Sequence, residues 1–214
     1  MRITSALRQL GGALRVLLLL TVVLGVLYPA FVWGASRLGT AAAEGAPLRD
    51  STGCVVGSEL IGVDPQVPAG TPDPYFHLRL DGDPTADDTA AGALTPGDPA
   101  AADANDMGPN NDTLLAFVQE RRQVIADREG VDPAAVPADA VTGSGSSIDP
   151  QISPAYAALQ VARVARVTGL PTDRVQALVA EHTQGRQLGF LGEERVDVPA
   201  LNVALGLTAP TCTG

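Results

Sequence analysis

The sequence predicts an α+β domain behind one N-terminal transmembrane helix, and three observations carry that prediction. An uncharged apolar run of 21 residues lies near the N-terminus. Beyond it come short segments with strand alternation, and three longer segments with helix caps and helical spacing, in no repeating β-α-β order. The charge divides at the same place. Residues 1–37 hold four arginines and no acid, for +4, whereas residues 38–214 hold ten arginines against 24 acids, for −14.

The apolar run, Val16 to Ser36 (VLLLLTVVLGVLYPAFVWGAS), would span about 31 Å as a helix, the thickness of a bilayer's hydrocarbon core. Tyr28 and Trp33 stand near its far end, where amphipathic rings favour the interface. Pro29 is a kink that membrane helices tolerate. Arg2, Arg8 and Arg15 precede the run and only Arg37 follows closely, which places the N-terminus inside and the bulk of the chain outside. Ala41-Ala42-Ala43 could serve a signal peptidase, but the run exceeds the 7–15 residues of a signal core and is read as a retained anchor. The chain is thus organised as a short cytoplasmic N-terminus (1–15), a transmembrane helix (16–36), a linker (37–54) and an extracytoplasmic domain (55–210) containing an acidic loop (81–112).

Within the outer domain, Val55–Gly62 (VVGSELIG) and Tyr75–Leu80 (YFHLRL) read as strands. In the second, Phe76, Leu78 and Leu80 alternate with Tyr75, His77 and Arg79, so His77 falls on the polar face as a surface or interface histidine; no second ligand nearby favours a metal. Asp81–Asp112 holds eight aspartates and no basic residue, and reads as an irregular or locally disordered loop. It lacks the D-x-[DN]-x-[DN]-G spacing of a calcium loop. Asn111 or Asp112 caps a helix over Thr113–Glu129 that Gly130 ends. Ser153, Pro154 and Gly169 mark a second, with Ala157, Val161 and Val164 inward and Arg163 and Arg166 elsewhere. A third starts near Thr172 and aligns Val175, Leu178, Val179 and His182. Val196–Leu207 starts as a strand and is interrupted by Pro199. Cys54 and Cys212 flank nearly the whole outer domain; in an oxidising setting they either bridge or remain two thiols.

The composition excludes much chemistry. Without lysine there is no P-loop lysine and no Schiff base, and two histidines with two cysteines are too few for a zinc or haem site. An acidic domain repels nucleic acid. Gly143-Ser144-Gly145-Ser146-Ser147 is an anion cradle or a simple turn, lacking P-loop spacing and the G-x-S-x-G nucleophile pattern. A serine, His182 and an aspartate could be combined on paper as a hydrolase, as in almost any chain. The residues alone describe a single-span, outward-facing, non-enzymatic domain suited to an accessory subunit. The alternative is a membrane-tethered extracytoplasmic binding protein or hydrolase acting alone.

The ordered motifs resemble a known family, the C subunit of the Kdp-type potassium-transporting ATPase. They are Thr21–Leu38, Gly57–Gly62, Tyr75-Phe76-His77 with Arg79, Gly108-Pro109 with Asn111, Val141–Ser146 with Asp149-Pro150, Ile152-Ser153-Pro154, and Gln160-Val161 with Arg163-Val164-Ala165. The strongest block runs through His182-Thr183, Gly185–Glu193, Arg195-Val196 and Ala200-Leu201-Asn202. Leu78 replaces the family's glycine, Glu59 stands where glutamine is common, and Asp81–Asp106 looks like an expansion. The resemblance implies a single-pass subunit of a bacterial plasma membrane complex for ATP-driven potassium uptake. Its partners would be a channel-like potassium-translocating subunit, a P-type ATPase subunit and membrane lipid. It further implies a role in assembly and stability, and as a catalytic chaperone raising the ATP affinity of the pump subunit. The chain would have no intrinsic cofactor, ATP being met only through the complex, and Ser144, Gly145 and Ser146 would be the nucleotide-binding candidates. Tyr75, His77, Gln160, His182, Arg186 and Phe190 would be structural or partner-facing.

Overall fold

The computed structural model describes residues 2–68 and 70–207, which divide into a unit up to Ala46 and a unit from Pro47 onward. The first is helical almost throughout: α1 (Arg2–Val22), a π turn (Val23–Leu27), α2 (Tyr28–Ser36), a 3₁₀ turn (Arg37–Gly39) and α3 (Thr40–Ala43). The π turn explains how the chain passes Pro29. Proline has no N–H for the next carbonyl back, and immediately before it the Tyr28 N–H reaches Val23 O, five residues back. The Thr21 hydroxyl donates to Leu17 O (2.8 Å) and the Ser36 hydroxyl to Trp33 O (2.7 Å), so these polar side chains satisfy themselves within the helix. Residues Ser5–Ala43 form one helical stretch long and apolar enough to cross a membrane, with none of its most apolar window buried.

The second unit begins with a hairpin, β1 (Pro47–Arg49) against β2 (Val55–Ser58), antiparallel with a bulge between Leu48 and Arg49. β1 thus occupies part of the expected linker. β2 is shorter than the expected Val55–Gly62 because the Ser58 hydroxyl accepts the Leu60 N–H (3.0 Å) and turns the chain out of the ladder. Next come α4 (Thr89–Ala93), α5 (Asp112–Glu129), α6 (Ala138–Val141), β3 (Gln151–Ile152), α7 (Pro154–Thr168), α8 (Thr172–Glu181), β4 (Thr183–Gln184), β5 (Arg195–Asp197) and α9 (Val198–Ala204). A three-stranded antiparallel sheet has the order β3-β5-β4, with Val196 between Ile152 and Thr183.

The helix signals correspond to the helices. Asn111 Oδ1 accepts from the N–H of Thr113 (2.8 Å) and Leu114 (3.1 Å) to start α5, and Gly130 ends it at φ +70°. Ser153 caps α7 through the Tyr156 N–H (3.0 Å). Pro199 does not merely interrupt a strand: it sits in the first turn of α9, capped by Asp197, whose carboxylate accepts the Ala200 N–H (2.9 Å). The core gathers Phe76, Leu78, Ile125, Ile152, Tyr156, Val161, Val164, Val175, Leu178, Val196, Val198 and Leu201 from both ends of the domain.

The acidic loop is not featureless. It contains α4, and buried Arg121 of α5 gathers it in, donating to Ala93 O (2.8 Å), Asp81 O (2.7 Å) and Val141 O (3.3 Å). Gly82, at φ +86°, passes so close that a Cβ there would stand 2.5 Å from Arg121 Nη2 and 2.6 Å from the Phe117 ring. A stretch with few side chains to bury still offers backbone carbonyls, and a buried guanidinium needs acceptors. Burial pushes Arg121 down to about 10, against the pull of Asp81.

Candidate functional site

Two features of the second unit stand out, one of buried polar groups and one of exposed apolar groups. The first surrounds Tyr75–Leu80. This segment is a strand of neither sheet. Side-chain amides bracket it in place of neighbouring backbone. Asn202 of α9 accepts the Phe76 N–H and donates to Phe76 O, each at 2.9 Å. Gln160 of α7, fully buried, accepts the His77 N–H (2.8 Å) and donates to His77 O (3.1 Å). Asp64 accepts the Leu78 N–H (2.7 Å). A primary amide presents the same donor and acceptor pair as a peptide group, so Gln160 and Asn202 stand in for the missing strands.

His77 is therefore interior, not on a surface as the alternation suggested. Its Nδ1 lies 2.9 Å from Asp64 Oδ2 and its Nε2 2.6 Å from Asp73 Oδ2. Carboxylates only accept, so both ring nitrogens carry hydrogen and the ring is an imidazolium. Burial pulls its pKa down, but the charge and hydrogen bond of Asp64 and the bond to Asp73 outweigh burial and Arg128, leaving it raised. Burial would raise the Asp73 carboxyl; the bond to His77 and the charges of His77 and Arg163 instead hold it at about 2.

Arg163, expected to project away from the core, is 3% exposed. It donates to Asp73 O (2.8 Å), Tyr75 O (2.9 Å), Gln160 Oε1 (3.1 Å) and Glu129 Oε2 (3.0 Å). Arg128 reaches Glu129 (2.8 Å) and the Tyr156 hydroxyl (2.9 Å). The formal charges of Asp64, Asp73 and Glu129 balance those of His77, Arg128 and Arg163. Such a network fixes backbone, its charges paired with one another. Sequence reasoning selected Tyr75, His77 and Gln160 but missed Asp64, Asp73, Glu129, Arg163 and Asn202 as their partners. The one available signal was that Arg163 and Asn202 fall in the family-like blocks.

The second feature is the connection between β4 and β5, residues 185–194. Gln187 and Leu191 exchange backbone hydrogen bonds, each 2.9 Å, while Gly189 N–H reaches Arg186 O (3.1 Å). The turn is closed by positive φ at Leu188 (54°), Gly189 (82°) and Gly192 (75°). At its apex Leu188 is 83% and Phe190 70% exposed, with Leu191 beside them also exposed. Arg186 pairs with Glu193 at 2.7 Å. His182 lies at the base of this connection, half-buried, its Nδ1 2.8 Å from Leu178 O and its own carbonyl accepting the Asp197 N–H. The candidates thus separate: His77 and Gln160 are internal framework with Tyr75 half-buried beside them, while Arg186 and Phe190 stand on the surface.

The remaining candidates lie elsewhere. Ser144 is buried, its hydroxyl 3.2 Å from that of Ser146 and accepting the Ser146 N–H (3.1 Å), while Gly145 and Ser146 are exposed. Ser147 is held at φ +61° with its buried hydroxyl lacking a protein partner. A mostly apolar cavity of about 560 Å³ lies between the hairpin, the 61–66 segment and α9, lined by Leu48, Val56, Val63, Leu78, Val198 and Val203 among others. Cys212 lies outside the described residues, and with it the Cys54–Cys212 pairing. Among the described residues no group of three or more His, Cys, Asp or Glu is placed to hold a metal ion.

Among the described residues one helix is long and apolar enough to cross a membrane, and the second unit is a mixed domain braced by an internal charge network, an arrangement consistent with a single-pass membrane subunit. The family model described as K+-transporting ATPase, c chain, matches residues 10–206, and the chain belongs to this KdpC family. It is 44% identical over 208 residues to the protein named Potassium-transporting ATPase KdpC subunit of Kineococcus radiotolerans, covering 97% of this chain and 98% of that one. It is 42% identical to the like-named subunit of Streptomyces coelicolor (97% and 96% covered) and 44% to that of Methylococcus capsulatus (90% and 94%).

Proposed function

We propose that this chain is the non-catalytic accessory subunit of a potassium-transporting ATPase, acting in assembly and stability of the complex. The observation that carries this reading is its likeness, over nearly its whole length, to proteins named as subunits of such an ATPase. The apolar helix, exposed along its length, needs lipid or partner helices around it, as a subunit's anchor would have. Arginine asymmetry supports an N-terminus inside and the acidic domain outside, over the potassium entrance of a channel-like subunit, where −14 would gather cations. The P-type ATPase subunit is the second partner. A chaperone effect on ATP affinity through Ser144, Gly145 and Ser146 fits this topology less well, because that loop would lie across the membrane from a cytoplasmic nucleotide.

The test is affinity purification of the full chain in mild detergent. A channel-like subunit and a P-type ATPase subunit should be recovered with it; recovery of neither sinks the reading. A reporter fused to the C-terminus and found in the cytoplasm would overturn the topology and favour the nucleotide role.

A further inference from the structure

We infer that the apex of the β4–β5 connection, Leu188, Phe190 and Leu191 on the turn closed by Gly189 and Gly192, is a preformed plug that seats in an uncharged apolar recess of another protein subunit of the complex. The inference rests on the subunit reading and adds to it the contact surface and the chemistry of what covers it.

The loop is built to hold those side chains in water. Leucine at φ +54° sits in a backbone region that L side chains avoid, at a cost of about 1 kcal/mol, and the conformation sends Leu188 outward at 83% exposure. Backbone bonds fix the turn, the reciprocal pair of Gln187 and Leu191 (both 2.9 Å), Gly189 N–H to Arg186 O (3.1 Å) and Phe190 N–H to Gln187 O (3.2 Å), and the exposed side chains of Leu188 and Phe190 contribute little to folding where they stand. Large apolar side chains presented on a rigid turn, with their ordering cost already met by the loop, are the anatomy of an interface anchor.

Charge selects the occupant among three. From Gly185 to Gly192 the only charge is Arg186, and Glu193 neutralises it at 2.7 Å. The rest of the domain is strongly acidic, −14 over residues 38–214. A segment seated in a bilayer interface carries a cluster of basic residues beside its apolar ones, and the apex has only Arg186, already paired with Glu193. A second copy of the chain would bring the same negative field against itself. An uncharged recess on a different subunit meets neither objection and matches the apex in polarity.

The experiment places the photo-crosslinking residue p-benzoylphenylalanine at position 190 of the full chain, co-expressed with the complex, with a control at Leu115, another exposed apolar residue. In parallel, Leu188→Ser/Phe190→Ser and Gly189→Ala are tested for recovery of the other subunits in mild detergent. Nothing lies within 4 Å of where a Cβ on Gly189 would stand, so Gly189→Ala acts only through the strained φ of +82°. The expected result is a crosslink from position 190, and not from 115, to another subunit of the complex. Recovery by the double serine variant should fall about tenfold or more, with a smaller fall for Gly189→Ala. A crosslink to lipid or to a second copy overturns the inference, as does unchanged recovery by the double variant. If the wild-type chain recovers no other subunit, the subunit reading falls and this inference with it. If the wild type recovers them and the variants do so equally, only the plug falls.

Discussion

The clasp around Tyr75–Leu80 and the apex at 186–191 both arise from blocks of sequence that resemble the same family, yet they are physical opposites. The clasp buries charges and amides; the apex exposes leucine and phenylalanine. Buried polar groups and exposed apolar ones are the two departures from ordinary partition that carry information. Here they separate framework from surface. The clasp's groups find their partners inside the domain, whereas the apex is ordered by its own backbone and presents Leu188 and Phe190 to solvent.

That difference can be broken by substitution, and the largest effect belongs to Arg163. Arg163→Met takes one of two cationic partners from both Glu129 and Asp73 and strands the carbonyls of Asp73 and Tyr75, and should cost about 3–5 kcal/mol in urea unfolding. A loss below about 1 kcal/mol would show that the network is ornamental. Asn202→Ala strands the Phe76 N–H and carbonyl, and Gln160→Ala does the same for His77; each should cost about 2–3 kcal/mol by the same measurement.

A third prediction concerns pH. The folded pKa of His77 is raised above its ordinary 6.5, so its stabilisation is fully present below about 6.5 and is lost as pH rises through the folded value. Asp73 is lowered from 3.8 to about 2, so its contribution is present above 3.8 and lost as pH falls toward 2. The urea midpoint should therefore decline at both edges, and Asp73→Asn should remove the acid decline but only partly blunt the alkaline one, which Asp64 mainly sets. A midpoint that holds steady as pH is raised from 6.5 would refute the imidazolium, and so would a neutral-ring NMR signal of His77 at pH 6.

The smallest effect is expected at the apex. Leu188→Ser or Phe190→Ser should leave unfolding stability within about 0.5 kcal/mol of the parent, since these side chains are already in water. A loss comparable to that of the clasp variants would erase the distinction.

Much of the molecule was legible locally. The Asn111 and Ser153 caps, the glycine stops after α5 and α7, and the membrane-length run each depend on residues within a few positions of one another. The apex does not belong with them: the block is legible as family-like, but its turn and the exposure of Leu188 and Phe190 are set by a backbone at positive φ that the sequence does not announce. Period-two alternation misplaced His77 because it assumes a strand with one wet face, while this segment is surrounded by amides and carboxylates on both. Pro199 was read as a strand breaker, a reading that leaves out Asp197 as the cap for a helix beginning there.

The sequence by itself determined the membrane-length helix, the division of charge, the helix ends and the family, because short-range rules and motif order suffice for those. Only the tertiary structure decided that Asn202 pairs with Phe76 across 126 residues, Arg163 with Asp73 across 90 and Gln160 with His77 across 83. A side-chain amide or guanidinium carries no mark of its partner. Which acceptor it satisfies depends on which backbone the fold leaves without one.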